Sequence, residues 1–156
     1  MARCPHCGAP ARPHSCEELF HAVLALDHAR RPPWGPLHGV TVSCYLLQHS
    51  GQWPATERNR AWAVLTAYLD GGLDAAARIT ERARRANSHR NRDAALPALN
   101  PGASVPVAAA PPTSFDVTIA DVARDGTFPA EGYADRVADW ARATLTAWRA
   151  LAPGPR

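Results

Sequence analysis

No lysine occurs in the chain, so all 17 of its Lys+Arg positions are arginine. Alongside 15 prolines and abundant alanine, that absence reads as a compositional bias more than a surface shaped for nucleic acid, and a formal charge of +3 adds little pull. Arginine stacks and forks where lysine cannot, so the bias does not exclude binding. Long apolar runs are missing too: nothing approaches the roughly 20 residues of a membrane-spanning helix. Residues 1–7 lack the apolar core of a secretory signal. The expectation is a cytoplasmic protein with no membrane partner. GxSxG, HExxH and phosphate-loop patterns are absent, as is any internal repeat.

What is present is enough for one compact domain over residues 1–156. The chain is 46% hydrophobic and too short for two comfortable cores. Its four cysteines would meet a reducing compartment, where a CxxC pair suits metal or redox chemistry better than a structural disulfide.

Residues 1–54 divide into a polar, proline-rich knuckle and a helix pair. Ser15 and Glu18 form a capping box, and Leu19, Phe20, Val23, Leu24 and Leu26 recur at helical spacing to about Arg30. Residues 31–35 break that helix. Pro36 suits the first turn of a second, which carries Leu37, Val40, Tyr45, Leu46 and Leu47 to about Gln48. Residues 55–96 read as helical: Thr56 caps a third helix with Trp62, Leu65, Tyr68 and Leu69, Gly71 and Gly72 stop it, and a fourth runs from Leu73 to Ala86. Residues 97–114 are a proline- and alanine-rich connection. In 115–151, Phe115, Val117 and Ile119 alternate with polar residues and fit a short strand. Tyr133, Val137, Trp140, Thr144, Trp148 and Leu151 share one stripe of a closing helix. The fold class is mostly α: a small helical domain with an N-terminal zinc knuckle, an antiparallel helix pair and room for one short strand.

In the knuckle Cys4-Pro5-His6-Cys7-Gly8, proline stiffens the turn and glycine tolerates the positive φ that aims backbone N–H groups at sulfur. A thiolate pair at this spacing suits zinc, but a structural site needs four ligands. Cys16, Asp27, His38 and His49 follow at steps of eleven residues, very nearly three helical turns. Cys16 and Asp27 therefore share a face of the first helix, roughly 16 Å apart, as His38 and His49 share one of the second. A short connection favours antiparallel packing. That brings His49 beside Cys16 and the knuckle, and His38 beside Asp27. The expected site is one structural Zn2+ held by Cys4, Cys7, Cys16 and His49. Cys16, in the first helical turn, should favour its thiolate. Cys44 lies about 140° round from His49 and reads as a buried small hydrophobe. His14, His21 and His28 read as solvated side chains, not ligands.

The blocks Cys4–Ala9, Cys16–Phe20, Leu24–Asp27 and His38–His49 resemble an uncharacterised bacterial family whose members share a CPxCG head and an HxxTVxxYxxQH segment. Residues 116–122 and the Trp140/Trp148 helix are similar too, so the likeness covers most of the chain. The resemblance carries no activity. It implies that Cys4, Cys7, Cys16, Asp27, His38, Tyr45, Gln48 and His49 occupy motif positions. Many relatives have aspartate where this chain has Ser43, and proline in place of Ser50. The first departure puts in doubt any role for a carboxylate on the second helix.

Three functions follow. The leading one is a zinc-stapled binding or adaptor protein for an unknown protein or small-molecule partner. The second is an enzyme, either zinc-dependent with an open position or a small hydrolase with Asp27 and His38 as catalytic candidates; the bland reading of that pair is an interhelical hydrogen bond. The third is nucleic-acid binding through Arg78, Arg82, Arg84, Arg85, Arg90 and Arg92 with His89, although that run lacks the interleaved aromatics of a single-strand platform.

Overall fold

The computed structural model describes residues 2–86 and 110–151. Their order is α1 (Cys16–His28), α2 (His38–Gln48), α3 (Ala55–Ala86), α4 (Ile119–Val122) and α5 (Tyr133–Ala150), with single 3-10 turns at Gly35–Leu37 and Ser50–Gln52. The protein is a small, mostly helical domain. No helix among the described residues is long and apolar enough to cross a membrane.

Local chemistry sets the start of α1. The Glu18 amide donates to Ser15 Oγ (3.1 Å) and the Ser15 amide to Glu18 Oε2 (2.7 Å), so the capping box forms as its spacing dictates. Leu19 and Val23 turn into the core, and Phe20 packs at its edge. The 3-10 turn places Pro36 ahead of α2, where its missing N–H costs nothing. α2 lies against α3, and both meet α5. Trp140 and Trp148 of α5 are buried between them, and the Trp148 indole N–H donates to the Leu47 carbonyl (3.0 Å). Such a bond lets a large ring be buried without stranding its polar atom.

The glycine pair in α3 acts as expected. Gly72 has φ 77° and ψ −168°, and the helix kinks there. That backbone region is open almost only to glycine. A Cβ at Gly72 would touch nothing within 4 Å, so its cost is purely conformational. Gly72→Ala should therefore lower stability by about 1–3 kcal/mol, read as a reduced urea midpoint at unchanged slope. An unchanged midpoint would mean that the two halves of α3 straighten at no cost.

Three expectations are corrected. Phe115, Val117 and Ile119 do not form a strand. No strand exists among the described residues for them to pair with, and the Thr118 amide instead donates to Asp121 Oδ2 (2.7 Å), opening α4. The Val117 carbonyl is taken by Gln48 Nε2 (2.9 Å), a side chain doing what a neighbouring strand would have done. Thr56 is not a cap, because α3 begins at Ala55. Leu151 lies past the end of α5 and is 44% exposed, so the buried stripe ends at Trp148. Most of the proline-rich connection, with Arg90, Arg92 and His89, lies outside the described residues.

Candidate metal centre

The knuckle folds on its own backbone. The Cys4 amide donates to the Ala9 carbonyl (2.7 Å) and the Gly8 amide to the Cys4 carbonyl (2.9 Å). Gly8 has φ 81°, the positive value the turn requires. The chain at Thr113 passes beside it, but a Cβ there would make only an ordinary contact at 3.4 Å from the Thr113 carbonyl oxygen, so the demand for glycine comes from φ. The Ala9 amide bonds toward the Cys7 sulfur, as expected of an N–H aimed by such a turn.

Around the knuckle α1 and α2 run antiparallel, with contacts at three levels. At one end lie Cys16 and His49, midway Phe20 stacks on Tyr45, and at the other end His38 Nδ1 sits 2.9 Å from Asp27 Oδ2. The eleven-residue spacing is thus realised at both ends.

The ligand atoms of Cys4, Cys7, Cys16 and His49 all lie within 4.8 Å of one another, so the four could bind a metal ion. Cys7 Sγ is 3.6 Å from Cys16 Sγ, and Cys4 Sγ is 3.6 Å from His49 Nε2. Tetrahedral zinc with Zn–S of about 2.3 Å and Zn–N of about 2.0 Å sets such edges near ~3.8 and ~3.5 Å. The remaining edges, none longer than 4.8 Å, would close by about 1 Å at most between sulfurs and by slightly more to nitrogen. His49 is prepared for the role. Its Nδ1 lies 2.9 Å from the Tyr45 carbonyl oxygen, an acceptor that fixes the proton on Nδ1 and leaves the Nε2 lone pair toward Cys4. Its ring stacks on Tyr45 at 4.1 Å, and Tyr45 on Phe20 at 3.8 Å, so a ladder of three rings holds the imidazole plane.

Cys7 and Cys16 are coupled across a short sulfur–sulfur distance. Without a cation between them the two sulfurs share a hydrogen bond that lowers the Cys7 thiol to about 4, while the same bond and then burial push Cys16 up. Two buried sulfurs 3.6 Å apart cannot both ionise cheaply without a cation between them. A bound dication would reverse the balance, because it stabilises every adjacent thiolate at once.

The other candidates fall outside the cluster. Cys44 is fully buried, bonds to Thr144, and has its thiol pushed well up by desolvation. His14 packs against Gly126, His28 ends α1 exposed, and His21 faces a groove discussed below. Ser43 donates its hydroxyl to the Gly39 carbonyl at 2.7 Å. In the arginine run, Arg84 and Arg85 pair with Glu81, which offsets part of its charge.

At the opposite end, Asp27 is 5% exposed, and its Oδ1 has no hydrogen-bond partner among the described residues. The carboxylate depends on His38, whose side chain is half exposed and whose pKa is raised by the hydrogen bond that its Nδ1–H donates to Asp27.

Sequence reasoning missed the groove beside the metal cluster. It encloses about 480 Å³ and is lined by Cys4, Cys16 and His49 together with Phe20, Tyr45 and Trp53. Its aromatic residues are scattered along the chain from Phe20 to Trp53, and folding of the helix pair brings them together.

Residues 2–149 match the profile of a family of unknown function, DUF5946. No curated protein and no solved structure matches the chain.

Proposed function

We propose, for a chain that belongs to the DUF5946 family of unknown function, a zinc-stabilised helical binding or adaptor protein. One Zn2+ would be held by Cys4, Cys7, Cys16 and His49 and serve as a staple. The observation that carries this reading is the convergence of four ligand atoms within 4.8 Å from the knuckle, the start of α1 and the end of α2. Three thiolates and one imidazole are a donor set for zinc, and four protein ligands fill its usual tetrahedral shell. A filled shell leaves no place for a substrate, so the ion contributes folding energy and fixes the head against the helix pair. Asp27 and His38 read best as a clasp at the far end of that pair.

Metal analysis of purified variants tests the ligand set. Cys16→Ser and His49→Ala should lose stoichiometric zinc, whereas Cys44→Ala and His38→Ala should keep it. The cobalt-substituted protein should show charge-transfer absorption of three thiolates. Absorption of only two would leave a coordination position open and favour the metal-dependent enzyme instead.

A further inference from the structure

We propose that Cys7 and Cys16 are a peroxide-sensitive thiol pair, and that closing them into a disulfide unties the head from α2. The disulfide step rests on the sulfurs alone; its effect on metal rests on the zinc reading above. All four cysteines are free thiols, and three of them converge in the head. These three differ in what they meet. Cys7 Sγ touches Cys16 Sγ at 3.6 Å, whereas Cys4 Sγ meets the His49 ring at the same distance. A disulfide bond of about 2.05 Å requires the Cys7 and Cys16 sulfurs to close by about 1.5 Å, within reach of small side-chain rotations. Access separates them further. Cys4 and Cys16 line the groove beside Phe20, Tyr45 and Trp53, and the fully buried Cys7 does not. A small oxidant in that groove meets Cys4 or Cys16, and Cys16 has a second thiol in contact to trap the product. Cys44 is buried in the core against Thr144 and takes no part.

The oxidant is a hydroperoxide. The Cys16 sulfur attacks its terminal oxygen, the O–O bond breaks, and the departing alkoxide or hydroxide takes a proton from the thiol or from solvent. The Cys7 sulfur then displaces hydroxide from the Cys16 sulfenic acid, and a second proton turns that hydroxide into water. Two thiols are oxidised, and one peroxide is reduced to an alcohol and a water, or to two waters. The product changes which elements the head holds. Reduced, Cys4, Cys7, Cys16 and His49 join the knuckle, the start of α1 and the end of α2. Oxidised, the Cys7–Cys16 bond keeps the knuckle on α1 and leaves only Cys4 and His49 for an ion that needs four ligands. The tie to α2 is lost. A dithiol attacking Cys16 from the groove returns both thiols.

The test is treatment of the zinc-loaded full chain with hydrogen peroxide. A colorimetric chelator reads zinc release, and tandem mass spectrometry, after free thiols are blocked, locates the disulfide. A Cys7–Cys16 disulfide should form with Cys4 and Cys44 left free, and about one zinc should be lost per disulfide. Dithiothreitol with added zinc should reverse both changes. Cys44→Ala keeps all three head sulfurs and should behave as wild type. A disulfide that uses Cys4, sulfinic acid in place of any disulfide, or thiols that survive the peroxide intact would overturn the proposal. The same samples separate the two readings. A chain that takes up no zinc yet forms the Cys7–Cys16 disulfide rejects the zinc centre and upholds the pair. Bound zinc with no disulfide after peroxide rejects the pair and leaves the zinc centre standing.

Discussion

Removing zinc, or replacing Cys16 with serine, is expected to lower the melting temperature by roughly 10–20 °C, equivalent to about 3–6 kcal/mol. Isolated zinc fingers owe all of their folding energy to the ion. Here the cost is smaller, because the core built around Leu47, Leu65, Trp140 and Trp148 lies outside the head and survives it. What is lost is the link between residues 2–13 and the helix pair, together with a tolerable state for Cys7 and Cys16. Both sulfurs are buried, and without a cation only one of them ionises readily. Acid should act like a chelator, since protons compete with metal for thiolate. Thermal melts with and without chelator, with Cys44→Ala as a buried-cysteine control, measure the effect. A melting curve unmoved by chelator in a protein shown to contain zinc would refute the staple.

The candidate site was legible in the sequence because two regular helices carried it. Within a helix, eleven residues return to the same face, so Cys16 with Asp27 and His38 with His49 could be placed before any tertiary contact was known. A short connection then left only the antiparallel arrangement. The glycine break at Gly72 and the capping box at Ser15 were legible for the same reason: each is a local demand of the backbone. The failures share the opposite cause. The alternation of Phe115, Val117 and Ile119 has the period of a strand, but a strand requires a partner, and Gln48 had already claimed the Val117 carbonyl. The groove required Trp53 to be brought beside Phe20 and Tyr45 across the helix pair, and nothing in the spacing of those rings announced it.

His38→Ala is expected to destabilise the protein by about 2 kcal/mol, and Asp27→Asn by clearly less. Removing one partner of a fully buried ion pair costs about 3–5 kcal/mol, mostly from the charge left behind, and the half-exposed imidazole calls for a discount. Among the described residues, Asp27 would keep its charge with Oδ1 already lacking a partner and Oδ2 losing the one it has. Asp27→Asn removes that charge while keeping an oxygen that can accept from His38 Nδ1, so the order of the two variants identifies the cause. The dependence on pH follows from the raised His38 pKa. Below the unfolded value of about 6.5 the charged pair contributes fully, and the contribution fades as pH climbs through the folded pKa. It does not vanish there, because a neutral imidazole still donates from Nδ1. The wild-type advantage over His38→Ala should accordingly be greatest under mildly acidic conditions, up to the point where the thiolates of the head begin to take up protons. Denaturant midpoints at several pH values give both results. A stable His38→Ala variant would mean that the pair is not a clasp, and would move Asp27 and His38 toward the general-base role that a carboxylate-oriented imidazole can also fill.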